Sequence, residues 1–93
     1  MLIVSYDFEK NKIRTDFSKF LKKFGSRIQY SVYEINNSPR VINNIKKEID
    51  YNYKKRFSKT DSIIIFSSCN RCTKNAIKYG SAANSDKEFV VFD

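Results

Sequence analysis

The strongest constraint on the fold is a change, made twice along the chain, from a strand-like apolar run to apolar residues at helical spacing. The first run covers residues 2–6 and ends at Asp7. Apolar residues then recur between positions 13 and 24 at offsets of 4, 7, 8 and 11, which is the spacing of one helical face. A second helical set follows Ser38–Pro39. Helices that alternate with buried strands bury their apolar faces on a sheet, so this order predicts an α+β protein.

Capping residues predict where the helices begin and end. Asn11 is the predicted N-cap of the first helix, and Gly25 stands where a left-handed C′ residue is expected. Ser38 is predicted to cap the second helix, with Pro39 in its first turn. The basic cluster at residues 54–56 is predicted to lie in the loop after that helix.

The remaining strands vary in how clearly they are marked. Residues 27–35 fit either one strand or two tightly joined strands. Residues 63–66 predict a central strand, residues 76–79 a short edge strand and residues 88–93 a final strand. The predicted fold is a ferredoxin-like βαββαβ layout with an extra C-terminal strand, in a single domain over residues 1–93. Two helices would cover one face of the antiparallel sheet, and the spare face and apolar edges predict a homodimer.

The absence of histidine removes whole classes of chemistry. A chain of 93 residues with no histidine has no Ser-His-Asp triad, no Cys-His nucleophile and no His-ligated zinc. A domain of this size has little room for a large buried cavity, so a site is expected on a surface or a subunit interface. Carboxylate chemistry, a Lys or Tyr base, a bound metal ion and no chemistry at all remain open.

Localisation is predicted from what the sequence lacks. The longest apolar run, at residues 63–66, is far shorter than a membrane span, and the N-terminus lacks the basic start of a signal peptide. We therefore expect a cytoplasmic protein with reduced cysteines and no membrane partner.

The charge predicts a polyanionic partner. The chain has 18 Lys and Arg against 10 Asp and Glu, a net charge of +8, and residues 40–59 alone carry +5. The phenylalanines of the first helix stand at core spacing, so the exposed remainder is mainly Lys and Arg. This combination favours contact with a nucleic-acid backbone and little reading of base sequence.

Two features could carry metal chemistry. Asp7 ends a buried strand, where a carboxylate is held rigidly; a single Asp is a poor Mg²⁺ site, and two copies across a dimer axis would be a better one. An ordinary strand-end acid fits the same pattern. Cys69 and Cys72 supply half of a tetrahedral zinc site, but with no second pair or histidine we expect no zinc there.

Several stretches of the chain match one family pattern in combination. They are an apolar strand ending in Tyr6–Asp7, Arg14 within an amphipathic helix, LKKFG at residues 21–25 and RIQYSVYE at residues 27–34. Through them the chain resembles the small CRISPR adaptation protein family, the ferredoxin-like partners of the CRISPR integrase. Residues 61–66, DSIIIF, resemble that family's later core strand.

The resemblance implies a homodimer with one of two functions. Some members of the family are metal-dependent nucleases on single-stranded RNA or duplex DNA, in which Asp7 of both subunits would meet at one interface and hold Mg²⁺. Others are scaffolds that bridge two integrase dimers, with prespacer duplex DNA lying across them. Residues 88–93 would pair with the partner subunit. Asp16 stands where the family often has a second basic residue, which weakens the nuclease hypothesis more than the scaffold hypothesis.

The sequence and the resemblance together give a set of candidate site residues. Asp7 is the candidate metal ligand and, in an active enzyme, the catalytic residue. The candidate nucleic-acid-binding residues are Lys12, Arg14, Lys19, Arg27, Lys54, Lys55 and Arg56. The candidate dimer-interface residues are Ser31, Tyr33, Phe89 and Val91. The main hypothesis is a DNA-binding scaffold in CRISPR adaptation, the alternative is a Mg²⁺-dependent endonuclease, and a toxin-type endoribonuclease is a third, more distant possibility.

Overall fold

The computed structural model describes residues 2–67 and 76–82, which form five strands and two α-helices. In chain order these are β1 (Leu2–Asp7), α1 (Asn11–Leu21), β2 (Gly25–Gln29), β3 (Val32–Ile35), α2 (Pro39–Glu48), β4 (Ser62–Ser67) and β5 (Ile77–Gly80). A π-helical turn (Ile49–Tyr53) and a 3₁₀ turn (Lys54–Arg56) follow α2 directly.

The strands form one antiparallel sheet in the order β2-β3-β1-β4-β5. Strand β1 lies at the centre, where Val4 pairs with Tyr33 of β3 on one side and with Ile65 of β4 on the other. Each helix connects two strands that are separated in the sheet by a third, which is the ferredoxin-like arrangement. The predicted α+β fold class is confirmed, and the homodimer stays a prediction.

The sheet buries one face under the helices. Alternate residues of β1 (Leu2, Val4 and Tyr6) are buried, whereas Ile3 and Ser5 between them are only partly buried. This period of two is what a strand with one covered face requires. The buried side chains meet those of α1 and α2 in a single core.

Aromatic rings make up the centre of that core. Phe17 of α1 is fully buried, and its ring centroid lies 4.9 Å from that of Tyr53 and 5.2 Å from that of Tyr6. Phe8 and Phe20 follow at 5.6 and 6.1 Å. Phe17 therefore joins the helix, the central strand and the turn after α2, and aromatic pairs at these separations add to the free energy of area burial.

The predicted helix ends are partly wrong. Lys10, not Asn11, is the N-cap of α1, and the Asn11 side chain instead accepts a hydrogen bond from Arg14. Gly25 is not a left-handed C′ residue, because α1 ends four residues earlier and Gly25 begins β2. Ser38 and Pro39 occupy the predicted first positions of α2, but the Ser38 side chain makes no capping hydrogen bond.

The structure also settles the strand prediction that the sequence left open and corrects one loop prediction. Residues 27–35 fall in two strands, and a register shift between Arg27 and Gln29 marks an irregularity in β2. Residues 54–56 form a 3₁₀ turn and not a loop, since the helical path continues past α2. The predicted edge strand at residues 76–79 is confirmed as β5, whereas the predicted strand at 88–93 lies outside the described residues. No helix within residues 2–67 and 76–82 is long and apolar enough to cross a membrane.

Buried tyrosines make the fold sensitive to alkaline pH. Burial raises the pKa of Tyr53 to about 12 and also raises the pKa of Tyr6 and of Tyr79. These groups bind their protons more tightly in the folded than in the unfolded chain, so their stabilisation is complete below pH 10 and is lost as the pH rises from 10 toward 12. The pKa of Tyr33 is lowered, so its contribution to the free energy of unfolding increases with pH and offsets part of this loss. We expect Tyr53 alone to lower the free energy of unfolding by about 2 kcal/mol across this range.

Urea denaturation on either side of pH 10 checks this prediction. Tyr53→Phe has no proton to lose, so its stability should fall less steeply with pH than that of the wild type. Parallel pH profiles for the two proteins would contradict the assignment.

Candidate nucleic-acid interface

A basic cleft lies between α1 and the β2–β3 hairpin. Its volume is about 230 Å³, and no acidic residue lines it. Four cations and two tyrosines account for most of its lining: Arg14, Lys19, Lys22, Arg27, Tyr6 and Tyr30. Helix α1 supplies Arg14 and Lys19, and its C-cap residue Lys22 follows one turn after Lys19, so three of the four cations come from this helix and its C-terminal end.

Arg14 is held in place at one end of this cleft. Its Nη2 donates a hydrogen bond of 2.6 Å to the Phe8 carbonyl, and its Nη1 donates to the Asn11 side chain. The centre of the guanidinium lies 5.8 Å from the ring centroid of Tyr30, which is 68% exposed. An oriented guanidinium beside an exposed aromatic ring is suited to binding a phosphate next to a stacked base.

Arg27 is fixed from the opposite wall, which is formed by β2. Its Nη2 donates to the Ser18 hydroxyl at 2.9 Å and its Nε to the Tyr33 hydroxyl at 3.3 Å. Burial would raise the pKa of Tyr33, but hydrogen bonds with Ser18 and Arg27, together with the charge of Arg27, outweigh burial and lower it. The hydrogen bond to Tyr33 in turn raises the pKa of Arg27, so the guanidinium stays charged.

The comparisons with known proteins identify the family. A family model described as CRISPR associated protein Cas2 matches residues 1–76. The chain belongs to the Cas2 family. This confirms the CRISPR resemblance drawn from the sequence.

Two curated relatives of this Cas2 chain carry the same type of name. One is CRISPR-associated endoribonuclease Cas2 2 of Methanospirillum hungatei JF-1, which is 29% identical over 90 residues that cover 97% of each chain. Another is CRISPR-associated endoribonuclease Cas2 4 of Rhodospirillum rubrum, which is 29% identical over 79 residues, or 85% of this chain and 61% of that protein. No solved structure matches the chain.

The structure brings some of the predicted binding residues together and leaves others apart. Arg14, Lys19 and Arg27 converge on the cleft, although they come from separate segments. Lys54 and Lys55 are exposed on the 3₁₀ turn and are not among the lining residues. The same is true of Lys12, which is exposed in the first turn of α1.

Arg56 has a structural partner instead. Its Nη2 forms a salt bridge of 2.8 Å with the carboxylate of Asp16, and its guanidinium lies 5.6 Å from the Tyr53 ring centroid. Asp16 therefore ties α1 to the turn after α2, which explains an acid where the family often has a basic residue. Lys22 was not among the predicted binding residues, although it is the C-cap residue of α1 and its spacing of eight residues from Arg14 places it on the same side of the helix.

Asp7 stands apart from the cleft cations as an exposed carboxylate at the end of β1, opposite Ser62. The loop that follows it is fixed by the buried Asp61, whose carboxylate accepts hydrogen bonds from the N–H groups of Glu9 at 2.8 Å and Ser58 at 2.7 Å. Within the described ranges, no three acidic or cysteine side chains gather as a metal site. A metal at this point would need ligands in addition to Asp7.

The remaining Cas2 candidates are placed in part. Ser31 lies between β2 and β3, where its carbonyl accepts the N–H of Tyr6 at 3.1 Å. Tyr33 is fully buried within the single chain. The dimer-interface roles of both residues stay predictions. The other candidates, Phe89, Val91, Cys69 and Cys72, lie outside the described residues.

Proposed function

We propose that this Cas2-family protein acts in CRISPR adaptation as a homodimeric scaffold that bridges integrase dimers and binds prespacer duplex DNA through its phosphate backbone. The observation that carries the proposal is the basic cleft, in which Arg14 and Arg27 are held by hydrogen bonds and no acid offsets the charge. Cations fixed in advance lose little side-chain entropy on binding phosphate.

The distribution of charge supports the same proposal. Residues 2–67 and 76–82 contain 15 of the 18 basic and seven of the ten acidic residues, so they hold the whole excess of +8. Two of those acids are already engaged, since Asp61 is buried and Asp16 pairs with Arg56. A dimer would carry +16, twice the charge of one chain, which favours association with any duplex regardless of sequence.

Binding to duplex DNA at two salt concentrations tests the scaffold. If the dimer neutralises about four phosphates, its affinity should fall about 100-fold between 50 and 200 mM salt. A labelled duplex and a second duplex of scrambled sequence should bind equally well in fluorescence anisotropy. An affinity that stays constant with salt, or that differs strongly between the two duplexes, would contradict backbone binding.

The alternative is a Mg²⁺-dependent endonuclease centred on Asp7, and the names of both relatives favour it. Carboxylate oxygens are the ligands that Mg²⁺ prefers, and Asp7 is exposed at a rigid strand end, so the residue type fits the metal. Bound Mg²⁺ would stabilise charge on the phosphate and activate a water molecule. One carboxylate per chain is a sparse site, and therefore Asp7 of the partner subunit would be needed as well.

A cleavage assay separates the two functions. Wild type, Asp7→Ala and the control Asp50→Ala, which removes a different exposed carboxylate, are incubated with labelled single-stranded RNA and duplex DNA in Mg²⁺ or EDTA. The scaffold predicts that Asp7→Ala retains salt-dependent duplex binding and spacer acquisition with the integrase. Cleavage that is lost with EDTA and with Asp7→Ala, but kept in Asp50→Ala, would establish the nuclease.

A further inference from the structure

The cleft contains a buried hydroxyl that has no hydrogen-bond partner. The Tyr6 side chain is 3% exposed, and within the described residues its hydroxyl is the one buried side-chain oxygen or nitrogen without a partner. Buried polar groups are almost always paired, because an unpaired one forfeits its hydrogen bonds to water. An unpaired hydroxyl at a lined cleft indicates that a ligand atom completes it.

The Tyr6 hydroxyl is available as a donor. Burial raises its pKa, so it keeps its proton at neutral pH. A hydrogen-bonding interaction with the neighbouring Ser18 hydroxyl acts against this rise, but the two groups do not reach hydrogen-bond geometry, and Ser18 accepts from Arg27 at 2.9 Å and shares a hydrogen bond of 2.5 Å with Tyr33. What the Tyr6 hydroxyl lacks is therefore an acceptor.

The surroundings select an anionic acceptor of small size. Arg14, Lys19, Lys22 and Arg27 line the cleft with Tyr6, and no acid does. A volume of about 230 Å³ lies below the usual range for ligand pockets, so the cleft has room for about one phosphate group of a strand. The Tyr6 hydroxyl is buried in this cleft. A phosphate at the end of a strand can project toward it, whereas a phosphate within a continuous backbone is held back by the nucleotides on both sides.

A terminal phosphate monoester has the matching chemistry. It carries between one and a half and two negative charges at neutral pH and offers three acceptor oxygens, whereas a backbone diester carries one charge. The exposed ring of Tyr30 at the mouth of the cleft, with Arg14 against it, provides a stacking surface for an unpaired base next to that phosphate.

We propose that this cleft binds the terminal phosphate of an unpaired nucleic-acid strand end, with the Tyr6 hydroxyl and Arg27 contacting the phosphate oxygens and the adjoining base stacking on Tyr30. The proposal rests on the proposed function to the extent that the partner is nucleic acid. It adds that the protein distinguishes a phosphorylated strand end from an unphosphorylated one.

The test compares short single-stranded oligonucleotides that carry a 5′-phosphate, a 3′-phosphate or hydroxyls at both ends. Wild-type protein should bind one phosphorylated form about tenfold more tightly than the unphosphorylated form, as expected for one hydrogen bond to a charged group. Tyr6→Phe should reduce this ratio several-fold, and the part that remains comes from Arg27 and the other cations of the cleft. Tyr79→Phe is the matched control, because Tyr79 is another buried tyrosine that lies on β5 outside the cleft and should leave the ratio unchanged.

Two further measurements keep the outcome decisive. Tyr6→Phe keeps the ring that packs on Phe17, so it should melt at or above the temperature of the wild type; a clear drop would reveal an internal partner for the hydroxyl and overturn the proposal. Inorganic phosphate and a nucleoside monophosphate serve as competitors. If inorganic phosphate displaces the phosphorylated oligonucleotide at equal concentration, the cleft is a site for the free anion and strand-end binding is refuted.

The duplex assay separates failure of this proposal from failure of the scaffold function. Duplex binding by the wild-type protein is measured at both salt concentrations beside the oligonucleotide series. Equal binding of all oligonucleotides together with normal duplex binding would refute end recognition alone. Loss of duplex binding with the phosphate preference intact would refute the scaffold alone.

Discussion

Phe17→Ala is expected to lower the free energy of unfolding by about 4 kcal/mol, which is a large part of the stability of a domain of this size. The Phe17 ring is fully buried and touches four other aromatic rings, the closest being Tyr53 and Tyr6 at centroid distances of 4.9 and 5.2 Å. Alanine removes the buried area of the ring and leaves a cavity that neighbouring aromatic rings are too rigid to fill.

Urea denaturation of wild type and variant measures this loss. Phe17→Leu keeps most of the volume and should cost less than half as much as alanine. Lys23→Ala replaces an exposed residue just past the end of α1 and should change stability by less than about 0.5 kcal/mol. A cost for Phe17→Ala no greater than that of Phe17→Leu would show that the aromatic cluster can close around the missing ring.

Much of the fold could be predicted because apolar periodicity is a local signal that packing reinforces. The spacing from Ile13 onward gave α1, and the apolar run at residues 63–66 gave β4. The capping predictions failed where another contact took precedence: the Asn11 side chain bonds to Arg14 one turn further along α1, and Gly25 is required by the neighbouring strand and not by the helix. The helical turns after α2 were not predicted, because the sequence indicates them only by the absence of a helix breaker.

The site was less predictable because it depends on convergence. Arg14, Lys19 and Arg27 could each be proposed from charge or family pattern, but only the crossover from β1 through α1 to β2 brings them to one cleft. Tyr6 follows the strand alternation as a core residue, and its ring is indeed in the core. That its hydroxyl lacks a partner is a fact of packing in three dimensions, which no pattern in the sequence marks.

The edge strand that holds Arg27 is the weak point of this arrangement, and Gly25→Ala is expected to break it at a cost of about 3 kcal/mol. A Cβ at Gly25 would lie 1.9 Å from the backbone carbonyl oxygen of Glu34 and 2.9 Å from the Cα of Ile35. Neither atom can move without disturbing the pairing of β3 with the central strand β1, so β2 must separate from β3 instead.

The expected consequence reaches the cleft, because β2 positions Arg27 against Ser18 and Tyr33. Gly25→Ala should therefore reduce binding of phosphorylated strand ends under conditions in which circular dichroism still shows folded protein. Ser26→Ala, on the exposed next residue of the same strand, should change neither stability nor binding. If Gly25→Ala lowers stability but leaves binding at the wild-type level, binding does not require Arg27 to be held in the cleft by β2. The cations of α1 would then carry the interaction alone.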